Sequence, residues 1–124
     1  MWKLTMGEAQ LNAEYGIHIG RWSQYAGLHT LPFDAMWCRV PANSFTTPDR
    51  HPEFELAVVV GGDAKFTVDG DVVAAPAGTA MLLTPGEEHV IHAGTEPVSI
   101  LSIYWLPEES PAAPDTSDRG EPLR

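Results

Sequence analysis

The stretch Asp49-Arg50-His51-Pro52-Glu53-Phe54-Glu55-Leu56-Ala57-Val58-Val59-Val60-Gly61-Gly62 places a histidine and a glutamate at the entrance of an apolar β segment that a Gly-Gly turn closes. A second histidine, His89, follows the turn Pro85-Gly86, 34 positions after Glu55. On a continuous strand residues 51 and 55 share one face, and in an apolar strand that face is the interior. Imidazole and carboxylate side by side in an interior need each other or a metal ion, and a hydrogen-bonded His–Glu pair is the simpler way to satisfy them. His89 tips the reading toward metal. His51, Glu55 and His89 make two imidazoles and one carboxylate with open positions, the composition of a catalytic site rather than a closed structural one.

Outward from this stretch the chain alternates short β-branched or aromatic runs with Gly, Pro and Asp punctuation, and no helical period lasts three turns. Strands are predicted at Asp34 to Val40, Glu55 to Val60, Ala64 to Val68, Asp71 to Ala75, Ala80 to Leu83, His89 to His92 and Val98 to Leu106. Asp69-Gly70 is a type I′ hairpin signal, because both central positions of that turn need positive φ. The layout is all-β, and a jelly roll fits its strand spacing best. In the first 32 residues, Trp2 to Thr5 and Ile17 to Trp22 are candidate strands, with Gly7 to Ala13 a weak helical turn or a loop.

Composition narrows the class. With 124 residues the chain is sized for one domain, assigned to residues 1–106, and the acidic, proline-rich stretch 107–124 is expected to be a disordered tail. The net charge of −10, from 17 acids against 7 bases, disfavours nucleic acid and anionic membranes as partners. Without a signal-like start or a long apolar run, and with Cys38 as the one cysteine, the expectation is a cytoplasmic protein in a reducing compartment.

These residues resemble the cupin superfamily, whose first motif reads His, any residue, His, three or four residues, Glu, six residues, Gly. The frame from Asp49 to Gly62 follows it with Asp49 in place of the first histidine, and Gly78 through Pro85-Gly86 to His89 resembles the second motif. The resemblance implies a cupin-type β-barrel, a double-stranded β-helix, from about Thr46 to Trp105. A narrower likeness, carried by Ala35-Met36-Trp37-Cys38-Arg39-Val40-Pro41, Thr47 to Glu53, Gly86 to His92 and Ser102-Ile103-Tyr104-Trp105, is to the zinc cupins of bacterial hydrazine-forming systems. Those join two nitrogens in cooperation with a methionyl-tRNA-synthetase-like activating protein. The implied function is zinc-dependent N–N bond formation. Two alternatives stay open: a non-haem Fe(II) dioxygenase, since the same three ligands suit iron, and a non-catalytic module that binds a small ligand.

Around the three ligands, Asp49 shares their parity and is either a fourth ligand, a general base or a loop carboxylate in an Asx turn. Arg39 either points inward to grip a substrate carboxylate or pairs on the outer face. Cys38 has the parity of Met36 and Val40 and is expected to be a buried packing thiol. His92 falls on the face opposite His89, and Glu87 and Glu88 are expected in solvent. Trp37, Tyr104 and Trp105 are pocket-lining or plain core. Leu56, Val58 and Val60 make the second face of the Glu55 strand apolar, which points to a homodimer.

Overall fold

The Asp69-Gly70 turn has the backbone its sequence requires, with φ of 47° and 92°, and it sets Val68 opposite Asp71. A computed structural model describes residues 1–28 and 30–108. His29 and residues 109–124, and with them most of the expected tail, lie outside that description. Nine strands follow in order: β1 (Asn12–Glu14), β2 (Ile17–Arg21), β3 (Asp34–Val40), β4 (Phe54–Gly61), β5 (Asp63–Val68), β6 (Asp71–Pro76), β7 (Ala80–Leu83), β8 (His89–Ala93) and β9 (Val98–Trp105). All pairings are antiparallel, in a six-stranded sheet of order β1-β2-β3-β9-β4-β7 and a three-stranded sheet of order β6-β5-β8. The two sheets face each other as a jelly roll.

Alternation decides what lies between them. Along β4 the inward residues Glu55, Ala57 and Val59 are buried while Leu56 and Val58 are half-exposed, and along β9 the inward residues are Val98, Ile100 and Ser102. Phe66 on β5 meets Val40, Val59, Leu83, Val98 and Ile100 in the core. The outer face of β4 is only part-covered, and Val60 is 51% exposed. In one copy of the chain, then, the strand is apolar on both faces but packed on one.

In the N-terminal third the candidate strand Ile17 to Trp22 is present as β2, and the rest departs from expectation. Trp2 to Thr5 forms no strand, Met6–Glu8 is a single 3-10 turn, and Asn12–Glu14 is a strand that the sequence had left as turn or loop. It pairs with β2 through the tight turn Tyr15-Gly16, in which Tyr15 holds a φ of 54°. A bulky residue in the left-handed region is an outlier for which no propensity argues. The extra hairpin extends the large sheet across one end of the molecule.

The segment before β4 also matters. Phe45 and Asp49 bridge to His92 and His89, so this segment runs antiparallel along the free edge of β8. Thr46 fixes the middle, its hydroxyl accepting from Ile91 N–H at 2.9 Å and its own N–H donating to the Ile91 carbonyl at 3.0 Å. No helix among the described residues is long and apolar enough to cross a membrane.

Gly62 carries a φ of 82°, and a Cβ there would collide with the Pro97 carbonyl oxygen, whereas a Cβ at Gly70, φ 92°, would meet nothing. Gly70→Ala should therefore cost about 1–2 kcal/mol for left-handed backbone alone, and Gly62→Ala distinctly more. Urea denaturation of both variants checks this, and equal losses would contradict the close approach of the β4–β5 turn to Pro97.

Candidate metal centre

His51 is not on a strand: β4 starts at Phe54, because Pro52 has no N–H to give a ladder. The expectation of one continuous strand through 51 and 55 is corrected, yet the two side chains meet, His51 Nε2 lying 3.0 Å from Glu55 Oε1. What brings them together is a set of backbone ties. Asp49 and His89 exchange N–H···O=C bonds of 2.9 and 3.1 Å, and the His51 carbonyl accepts the Gly86 N–H at 2.9 Å. Arg50 Nη1 donates to the Gly86 carbonyl at 2.8 Å. The turn before β8 is closed by Glu87, whose carboxylate accepts from Thr84 N–H at 2.7 Å rather than standing free in solvent. Glu88 is exposed, as expected.

The imidazoles are oriented from behind. His51 Nδ1 donates to the Glu53 carbonyl and His89 Nδ1 to the Glu87 carbonyl, both at 3.2 Å. A carbonyl can only accept, so the tautomer these bonds select has its hydrogen on Nδ1 and a lone pair on Nε2, whereas a hydrogen on His51 Nε2 would bond Glu55 Oε1 instead. Both Nε2 atoms face Glu55 Oε1, at 3.0 and 3.7 Å. With both rings in that tautomer three lone-pair atoms converge, the ring centroids 4.9 Å apart. One divalent ion satisfies all three at once, and tetrahedral ligands at about 2.0–2.1 Å from a metal stand about 3.3–3.4 Å apart.

Asp49, His51 and His89 have ligand atoms within 4.8 Å of one another, so Asp49 belongs to the cluster and not to a remote loop. Its carboxylate also accepts from Arg50 N–H at 2.8 Å. Glu55 is 7% exposed, and its far oxygen Oε2 accepts from Ser102 Oγ at 2.6 Å. Ser102, fully buried, was not foreseen as a site residue, although a lone hydroxyl in the inward row Val98, Ile100, Ser102 was the signal.

A cavity of about 300 Å³ opens from this cluster, with Tyr15, Ile17, Ile19, Arg21, Met36 and Tyr104 along its walls. Arg39 is not among them. The alternation that turns Met36 and Cys38 inward turns Arg39 to the solvent face, where it stands opposite His18 and Ser99. The expectation of an inward Arg39 is corrected, and the guanidinium on the cavity belongs to Arg21. Its Nη1 donates to Glu14 at 2.7 Å, which raises the Arg21 pKa and lowers that of Glu14. Burial pushes the Tyr104 phenol up, and the charge on Asp34 adds to it. Cys38 is the packing thiol expected, pushed up to about 12 by burial and then by the Glu55 charge. His92 faces away from the cluster, against Phe45 and Thr67. Trp37 is core, its indole N–H donating to Tyr25 at 3.0 Å, and Trp105 stacks on Phe54 outside the sheet.

The family of AraC-like ligand-binding domains matches residues 39–122, more than half of the chain. The chain belongs to this family. Solved cupins share its fold: a cupin 2 conserved barrel domain protein of Salinispora arenicola is 23% identical, with a TM-score of 0.76 over 85% of this chain and 88% of that one. A predicted oxalate decarboxylase of Thermotoga maritima is 18% identical, TM-score 0.73, over 86% of this chain and 100% of that one. KdgF of a Halomonas species is 17% identical, TM-score 0.68, over 85% and 93%. These likenesses establish a cupin jelly roll, and the site carries this domain's own donors.

Ser102→Ala should leave the fold intact and weaken any divalent-metal binding at this cluster about 10–100-fold by freeing Glu55, the usual effect of losing a hydrogen bond behind a ligand; competition with a chelating dye measures it, and unchanged affinity would remove Ser102 from the site. For Cys38, the folded thiol keeps its proton up to about pH 12 while the unfolded one loses it near pH 9. Folded-state stability should then fall as pH rises through that window, because there the unfolded state binds fewer protons. Denaturation midpoints between pH 8 and 11, on the order of the range a small domain tolerates, should fall less steeply in Cys38→Ala.

Proposed function

We propose that the domain is a metal-dependent cupin enzyme holding one divalent ion through His51, Glu55 and His89, with Asp49 as fourth ligand or as base. The observation that carries this is the convergence of His51 Nε2 and His89 Nε2 on Glu55 Oε1, at 3.0 and 3.7 Å, with both Nδ1 atoms turned to backbone carbonyls. Zinc is favoured, and such an ion supplies Lewis acidity without redox chemistry. The cavity of about 300 Å³ suits a small polar metabolite.

The specific reaction we propose is N–N bond formation within an activated amino-acid ester of a hydroxylamine. The amine lone pair attacks the hydroxylamine nitrogen, the N–O bond breaks, the carboxylate leaves with the bonding pair, and the amine proton passes to Asp49 or water. The N–O bond is itself the oxidant, so no further oxidant is consumed. A synthetase-like partner would supply the ester in the cytoplasm. A homodimer is supported by the apolar outer band in which Leu56 faces Ile103 and Val58 faces Leu101 across β4 and β9, beside the exposed Leu82 of the edge strand β7. Membership of a family of ligand-binding domains favours a second reading, a module that holds its ligand without turnover.

Purified protein should hold about one zinc per chain, and His51→Ala, Glu55→Ala and His89→Ala should each lose it on dialysis, as read by elemental analysis. Full retention in all three variants would overturn the metal site. Turnover should stop on chelation and return with zinc in the absence of dioxygen. Recovery only with ferrous iron and dioxygen would instead mark an oxygenase, and ligand-dependent stabilisation without product would mark the binding module.

A further inference from the structure

The walls of the cavity are electrically lopsided. Asp49, Glu53 and Glu55 stand around the two histidines at one end, and Arg21, the one permanently cationic group on the lining, stands at the other among Tyr104, Met36 and Ile19. Strand order explains the separation. Arg21 is inward on β2 in the row of Ile17 and Ile19, opposite Met36, and β2 lies three strands from β4 in the order β2-β3-β9-β4. Three spacings amount to at most about 14 Å from backbone to backbone. A side chain as long as arginine reaches from its strand toward the middle of that gap.

Arg21 is also held in place. Glu14 Oε2 accepts from Nη1 at 2.7 Å across the β1–β2 hairpin, fixing the guanidinium plane while occupying one of its five N–H donors. The Tyr104 phenol lies beside the same group. A planar fork with free donors, fixed in a cavity wall, is what bidentate recognition of a carboxylate needs. No other group on this lining carries a permanent positive charge to meet an anion.

We propose that Arg21 is the anion anchor of the cavity, so that the ligand is a small molecule with a carboxylate or equivalent planar oxyanion held by the guanidinium while its other polar end meets the Asp49, His51, Glu55 and His89 cluster. The placement of that other end rests on the metal reading above; the anchor itself does not. It assigns the carboxylate grip expected of Arg39 to Arg21 and makes Glu14 its positioning residue. An amino-acid-derived substrate meets the requirement, and an uncharged one does not.

The test is isothermal titration calorimetry with unbranched dicarboxylates from succinate to adipate, each against its monomethyl ester, on the full chain loaded with zinc. At least one diacid should bind about tenfold or more tightly than its monoester. Arg21→Gln should abolish that preference with zinc content unchanged, and Arg21→Lys should keep part of it, since charge remains and the fork is lost. No diacid preference in the parent protein, or its full survival in Arg21→Gln, overturns the anchor. If the parent protein holds no zinc, the metal reading falls, and the same titrations with monocarboxylates on the metal-free chain decide the anchor: binding lost in Arg21→Gln upholds it, and equal or absent binding overturns it.

Discussion

Two backbone hydrogen bonds between Asp49 and His89 hold the two halves of the site against each other. Each bond is worth little by itself, about 0.5–1.5 kcal/mol, but they close a chain of contacts. Asp49 is pinned to β8, the His51 carbonyl to Gly86, and Thr46 to Ile91, so the segment entering β4 becomes an added strand on the small sheet. His89 therefore comes from the start of β8, and His51 from the bridged segment that leads into β4. Preorganisation of this kind brings the two histidines within reach of both Asp49 and Glu55.

The same region shows how an acidic protein handles a cluster of lone pairs. Two imidazoles give their hydrogens to carbonyls outside the site, and Ser102 gives its hydrogen to the outer oxygen of Glu55, so every nearby donor is directed to the rim and acceptors are left at the centre. A cation at the centre would satisfy all of these acceptors at once. The raised Cys38 thiol fits this account, since a neutral sulfur adds no charge to the surroundings of Glu55.

Much of this was legible in the sequence where local chemistry and tertiary packing agree. β3 and β7 have the ends that the turn residues around them imply, and the Asp-Gly turn gives the β5–β6 register directly. His51, Glu55 and His89 were found because polar groups stood out against apolar surroundings. The β1–β2 hairpin was not legible, since its turn uses Tyr15 in a conformation tyrosine rarely takes. Arg21 was missed with it. Arg39 was left open between inward and outward although its own parity gives the answer, for a strand that turns Cys38 inward must turn Arg39 out. Ser102 was hidden because a single hydroxyl in an apolar row counts for nothing until the carboxylate across from it is known.

The hairpin tip at Asp69-Gly70 has one further consequence. Asp69 N–H donates to the Glu88 carbonyl at 2.9 Å, and the Asp69 carboxylate accepts the Glu88 N–H at the same distance. The tip is thus fastened to the residue just before His89, and its aspartate does more than favour a bend. Asparagine would fold the turn equally well by propensity, yet it would replace a charged acceptor with a neutral one beside the ligand-bearing strand. The most interchangeable-looking dipeptide in the molecule is therefore a remote adjustment screw for the candidate site, and a swap that spares the fold can still shift the angle at which His89 enters it.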